Sequence, residues 1–219
     1  MFHGGVGALF GVIAARPHWH SGLFPILFLL SALASGGAIL IVVAAVFQDG
    51  WNKNRETLLS LGKLVLGLML LDVIFQFSEI LVAFRGGIPG QTEGMYLVMF
   101  GPYWYIFWLW QIALGTVVPV FLLVFSKSKN DVRWVTLAGL LIAAGFFGLR
   151  LNIVIPGLTT EEIAGIAHAI ASARYGADYF PSISEFLLSI GVLGMGLLLF
   201  GIGEKYLPNE NEGSHNVHV

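Results

Sequence analysis

Two carboxylates and an amide, Asp72, Glu79 and Gln76, interrupt a largely apolar run, LVLGLMLLDVIFQFSEILVAF. On a helix each residue advances about 100°, so Gln76 lies about 40° from Asp72, and Glu79 about 20° from it on the other side. All three share one face. An ionisable group inside a membrane-spanning segment costs about 2.5–3.5 kcal/mol on insertion, so this face must look into protein or into water. One reading is a proton relay or a polar wall beside a redox ligand. The other is a structural hydrogen-bonded network between helices.

A second apolar stretch ends in GLRLNIVIPG. Arg150 stands about one turn inside that end. It either snorkels to the interface or pairs inward with a carboxylate; by depth that carboxylate is Glu79. Asn152 lies about 200° around the helix from Arg150, so the two do not share a face. Glu185 follows Pro181 in YFPSISEFLL, with Ser182 or Ser184 as the cap. Proline in the first turn, a serine cap and an early acid form a helix start signal. Gln111 is a lone polar group in a third apolar stretch. Lys63 lies near a helix end and reads as snorkelling.

The histidines are His3, His18, His20, His168, His215 and His218. None falls within a spanning core, so a haem held by two histidines of facing helices is not expected in this chain. RPHWH reads as a polar interfacial turn, with a copper or zinc site as the sharper alternative. There is no cysteine, so disulfides, thiolate iron–sulfur ligation and cysteine zinc sites are excluded within the chain. No metal site is expected; a metal cluster in the working assembly belongs to another subunit. Walker, HExxH, GxSxG and dinucleotide motifs are all absent, and with them the support for hydrolysis or nucleotide chemistry.

The elements that carry these residues follow from hydropathy. The chain has 219 residues, 57% of them hydrophobic and 11% charged, with mean hydropathy +0.82. Soluble domains carry about 25% charged residues, so lipid must be part of the solvent. Net charge −2 argues against nucleic acid, which needs a basic patch. A spanning helix needs about 20 apolar residues. Five segments qualify: about Leu23 to Phe47, Leu58 to Phe84, Tyr105 to Phe125, Trp134 to Ile155, and Ile183 to Ile202. Runs such as LLIAAGFFGL do not alternate, which excludes a transmembrane barrel. The expected fold is an all-α integral membrane protein, a bundle of about five transmembrane helices with a short interfacial helix.

Residues 1–21 read as an interfacial or re-entrant segment, 22–204 as the bundle and 205–219 as a polar disordered tail. The start of the chain has no basic region before its apolar stretch, unlike a signal peptide. Pro119 is expected to kink the third helix. Residues 85–104, rich in Gly, Pro and aromatics, read as an external stretch with an interfacial belt. Thr160, with Glu161 and Glu162, reads as the start of the interfacial helix. Small residues four apart, such as Ser31/Ser35, Ala34/Ala38, Gly139/Ala143 and Ala144/Gly148, let helices approach closely in lipid.

Lys53, Arg55, Lys127, Lys129, Arg133 and Lys205 fall on one face, against Arg16, Arg85 and Arg174 on the other. The positive-inside rule then puts the C-terminus in the cytoplasm and the N-terminus outside the cell membrane. An external N-terminus is natural if the chain continues or partners another membrane segment.

Three stretches carry a family resemblance. RPHWHSGLFPILFLLSALASGGA is similar to the entry of the fifth or sixth helix of NrfD-like membrane subunits. GLRLNIVIPG resembles their R-x-N-x-x-x-x-G helix end, and YFPSISEFLLSIGVLGMGLLLFGIGEKYLP their last helix. This is the family of the polysulfide reductase membrane subunit (PsrC) and the hydrogenase-2 membrane subunit (HybB). Its members carry eight to ten helices, so the match corresponds to the C-terminal half. The resemblance implies a membrane subunit of a quinone-linked oxidoreductase complex, not catalytic alone. Such a subunit anchors an iron–sulfur ferredoxin-like protein and passes electrons to or from quinone (menaquinone or ubiquinone), with proton movement and without haem. The quinone then sits at an interface with another subunit, either a second NrfD-like chain or the N-terminal half. On that reading Asp72, Gln76, Glu79, Arg150 and Glu185 are the candidates for a proton or quinone path. The rival readings are an ion- or proton-translocating transporter subunit and a purely structural anchor.

Overall fold

The computed structural model describes residues 2–13, 16, 18–47, 55–125, 131–159 and 182–206. Its elements are α1 (Phe2–Gly11), α2 (Phe24–Phe47), α3 (Arg55–Arg85), α4 (Pro89–Phe100), a π-helical stretch (Ile106–Val117) running into α5 (Val118–Val124), α6 (Val132–Thr159) and α7 (Ile183–Tyr206). Five helices are long and apolar enough to cross a membrane: Phe24–Val46, Arg55–Arg85, Ile106–Val124, Val132–Thr159 and Ile183–Gly203. The protein is an all-α integral membrane protein. Residues 1–177 and 178–219 form two compact units, and α7, in the second, is described by itself. The expected interfacial helix from Thr160 lies outside the described residues; of the expected tail 205–219, Lys205 and Tyr206 belong to α7 and the rest lies outside them.

The first unit exposes large apolar side chains and buries a few polar ones. Leu64, Ile74, Phe77 and Phe147 are exposed, whereas Asp72, Gln111 and Asn152 are buried. That arrangement suits lipid, which solvates Leu and Phe but leaves polar groups to find partners within the protein.

Helix α6 is the centre of the bundle, packed against α2, the π-helical stretch and α5. Lipid tails are as apolar as leucine, so helices associate through close packing rather than a hydrophobic drive. Ala34 and Ala38 of α2 are wholly buried, and a methyl placed on Gly139 of α6 would stand 3.0 Å from the Ala38 carbonyl oxygen. On the other side of α6 the approach is closer: a methyl on Gly115 would lie 2.5 Å from Gly145 Cα.

The bundle has a dry half and a polar half. Towards the Arg55 end of α3 the core is Ile41, Leu58, Val65, Met69, Val135 and Ile142, all buried and apolar. The buried polar side chains among the described residues, Ser31, Asp72, Gln111 and Asn152, belong to the other half.

Three local features go beyond the sequence reading. Ahead of Pro119, where a kink is expected, residues Ile106–Val117 wind as a π-helix, and Val118 N–H bonds the Ala113 carbonyl five residues back. Proline has no N–H and its ring crowds the carbonyl four residues earlier; the wider π turn relieves that crowding. Within 85–104, read from sequence as an external stretch, α4 forms with Pro89 in its first turn, where a missing N–H costs nothing. Helix α6 continues past Ile155, through Pro156, to Thr159. The N-terminal segment holds α1, ten residues long and far short of a span, packed against α2.

Candidate functional site

Helix α3 presents Asp72, Gln76 and Glu79 on one face, as the 100° step requires, but each takes a different partner. Gln76 Nε2 donates to Asp72 Oδ2. Gln111, carried by the π-helical stretch, donates from Nε2 to Gln76 Oε1 at 2.7 Å. Asn152 of α6 donates from Nδ2 to Gln111 Oε1 at 2.7 Å. Three amides therefore form one directed chain across three helices, every donor pointing towards the Asp72 carboxylate. Such a chain polarises cooperatively in low dielectric.

Glu79 lies outside that chain. Its Oε2 accepts from Ser21 Oγ at 2.9 Å. Arg150 donates from Nη2 to Ser31 Oγ at 2.7 Å and stacks its guanidinium 4.0 Å over the Phe28 ring. Its electrostatic partner is Asp72. The Glu79–Arg150 pair expected from depth is thus replaced by two separate arrangements. Depth along a helix places two residues at one level but does not decide which neighbour stands between them; here α2 supplies Ser31 and Phe28 to Arg150. Asn152 and Arg150 leave α6 on opposite sides, one towards the π-helical stretch and the other towards α2, in keeping with their 200° separation. Two buried atoms have no hydrogen-bond partner among the described residues: Asp72 Oδ1 and Arg150 Nη1.

Arg16, His18 and Trp19 cover the end of α6 around Pro156. Pro156 has no N–H, so the Asn152 carbonyl cannot receive its usual helical bond. His18 donates to that carbonyl instead. Trp19 Nε1 donates to the Ile153 carbonyl at 2.8 Å, and Arg16 donates to the Gly157 carbonyl at 3.1 Å. A methyl on Gly157 would overlap the Trp19 indole, so Trp19 lies tight against α6. Burial pulls the His18 pKa down to about 4, against a smaller upward effect from its bond to Asn152.

These groups surround a half-open cavity of about 80 Å³. Phe24, Leu27, Ile80, Val98 and Phe107 form its apolar walls. Glu79, Arg150, Ser31 and His18 enter it, with Gln76, Gln111 and Asn152 at its base. A smaller cavity of about 10 Å³ adjoins Asp72, Thr116, Gly115 and Gly145.

Glu185 closes a capping box in α7. Ser182 N–H donates to Glu185 Oε2 at 2.6 Å, and Glu185 N–H donates to Ser182 Oγ at 3.3 Å. This reciprocal pair satisfies two of the free donors at a helix start. Among the described residues no three His, Asp or Glu side chains are grouped to hold a metal ion. Of the histidines, His3 and His20 are exposed, while His168, His215 and His218 lie outside the described residues.

The sequence reading missed four members of the site. Gln111 read as a lone polar group, Asn152 as off the active face, Ser31 as packing and His18 as part of a turn. A signal existed for His18: proline four residues after Asn152 frees a carbonyl that must find another donor.

Residues 1–162 match the family model described as polysulphide reductase, NrfD. The chain belongs to this NrfD family. It is 35% identical, over 99% of its length and 51% of the relative's, to a selenate reductase subunit of Mesobacillus selenatarsenatis. It is 29% identical to the Hdr-like menaquinol oxidoreductase integral membrane subunit of Archaeoglobus fulgidus, over 94% of the chain and 53% of that protein. To the menaquinone reductase integral membrane subunit of Nitratidesulfovibrio vulgaris it is 22% identical, over 94% of the chain and 50% of that protein. The chain spans about half the length of these relatives. Its multi-pass membrane character agrees with its NrfD membership.

Proposed function

We propose that this NrfD-family chain is a membrane subunit of a quinone-linked oxidoreductase complex. The observation that carries the reading is the cavity in the polar half: apolar aromatic walls lined also by the Arg150 guanidinium and the Glu79 carboxylate. Apolar walls with a few convergent polar groups are the usual make-up of a site for a small amphiphile. Arg150 is suited to donate to a quinone carbonyl oxygen, and Glu79 to exchange the protons that quinone reduction takes up. The names of the Archaeoglobus and Nitratidesulfovibrio relatives support menaquinone as the class of quinone.

Electron delivery calls for an iron–sulfur subunit, since this chain has no cysteine to hold a cluster. The half-length match to its relatives supports a second membrane half, as a separate chain or a continuation, completing the quinone site. The dry half of the bundle weighs against a transporter with a continuous polar path through this chain. The loop charges support a cytoplasmic C-terminus; a reporter fused after Asn130 should then read cytoplasmic, and one fused at Gly90 external.

The test is quinol turnover by the assembled complex carrying Arg150→Gln. Turnover should fall at least tenfold with assembly intact, and Arg150→Lys should recover part of it. Normal turnover in an intact Arg150→Gln complex would remove Arg150 from the quinone path. Loss of assembly without any catalytic defect in the surviving complex would favour the anchor reading.

A further inference from the structure

We propose that the cavity beside Asp72 is a binding site for a single water, kept apart from the water of the larger cavity by Gln76, Gln111 and Leu149. Asp72 is wholly buried. Its Oδ2 accepts from Gln76, so Oδ1 is the atom left over, and it has no partner among the described residues. An ionised Oδ1 needs a donor; a protonated one needs an acceptor. Water supplies either, so the site is satisfied whichever form Asp72 takes. An orphaned carboxylate oxygen in low dielectric would otherwise carry its full desolvation cost.

Size agrees with chemistry. A cavity needs about 10–15 Å³ to hold one water, with two to four polar partners, and the space beside Asp72 is about 10 Å³. Thr116 lines it and supplies the second partner. Its hydroxyl hydrogen is committed to the Gln111 carbonyl at 3.1 Å, so its lone pairs remain to accept from a water. The π-helical winding matters here, because that bond joins residues five apart.

Gln76, Gln111 and Leu149 line both cavities. The 2.7 Å bond between the two amides closes the polar part of this partition and Leu149 the apolar part. On one side stands Asp72 with its water; on the other, Arg150 lines the larger cavity, which has room for several waters. The Asp72–Arg150 attraction then acts across the partition. Asp72 is a proton-holding group that reaches the larger cavity only when the partition moves. That last role rests on the proposed quinone and proton chemistry; the water site does not.

The experiment is a structure of the full chain in lipid nanodiscs, at a resolution that shows ordered water. One water should stand about 2.5–3.0 Å from Asp72 Oδ1 and within hydrogen-bond reach of Thr116 Oγ1. Thr116→Val should lose it while waters beside Arg150 persist, and Leu149→Ala should join the two cavities by a continuous file. If Leu149→Ala does not fold, Leu149→Val tests the same point with a smaller deletion. Direct contact between Asp72 Oδ1 and Arg150 Nη1, no density beside Oδ1, or a cation in that space would each overturn the proposal. A missing quinol activity in a chain that shows the water would defeat the proposed function and leave this inference standing. Normal turnover with no water would do the reverse.

Discussion

Gln111→Leu is the substitution that most directly tests the directed amide chain. Gln111 is 5% exposed, donates to Gln76 Oε1 and accepts from Asn152 Nδ2, each at 2.7 Å. Leucine removes both bonds and leaves the buried Asn152 amide and the half-buried Gln76 oxygen without these partners. Each orphan costs about 1–3 kcal/mol in protein interiors, which gives about 2–6 kcal/mol. Two effects pull this down: the leucine regains apolar packing, and hydrogen bonds between membrane helices average only about 0.6 kcal/mol in double-mutant cycles. The expected loss is about 2–4 kcal/mol. At about 2–4 °C per kcal/mol for a chain of this size, 3 kcal/mol becomes roughly 6–12 °C in a thermal unfolding scan in mild detergent. Gln111→Glu should also be destabilised, because it keeps the acceptor for Asn152 but loses the donor to Gln76 and adds negative charge near Asp72. A Gln111→Leu protein that melts with the wild type would show that the chain contributes nothing to the bundle.

Other substitutions probe the remaining contacts. Gly145→Leu should cost about 4 kcal/mol or more, because Gly145 faces the Gly115 backbone, which cannot rotate away. Gly67→Leu, where a methyl meets nothing within 4 Å, should leave size-exclusion elution unchanged; equal behaviour of the two would refute the close crossing. His18 gives a pH dependence. Its folded pKa of about 4 lies below the ordinary 6.5, so the unfolded chain binds the extra proton first. The stability held above pH 6.5 is lost as pH falls towards 4, by at most about 3 kcal/mol at 1.36 kcal/mol per unit. The melting temperature should fall across that window in the wild type and less steeply in His18→Gln; parallel slopes would place His18 in water.

Much of the fold was legible because lipid imposes one strong rule: every spanning segment must be a long apolar helix. The five apolar runs agree with the five spanning helices to within a few residues at either end. The shared face of Asp72, Gln76 and Glu79 was equally legible, since a helix repeats at a fixed angle. Their partners were not. Gln111 comes from a π-helical stretch that proline induces, and Asn152 from the far side of α6. Neither stands at a spacing from Asp72 that sequence could reveal.

The sequence by itself thus determined the helices, their apolar outer faces and the one polar face of α3, because these depend on hydropathy and the helical repeat alone. The tertiary structure decided what that face does. Close Gly115–Gly145 packing brings the π-helical stretch against α6, so Gln111 bridges Gln76 to Asn152. Ser31 and Phe28, on a helix whose small residues spoke only of packing, hold Arg150 away from Glu79. Proline at 156 opens a carbonyl, and Arg16, His18 and Trp19 cover that end of α6. Each of these is a contact between residues distant in the chain, and no local propensity encodes which of several neighbours a buried polar group will find.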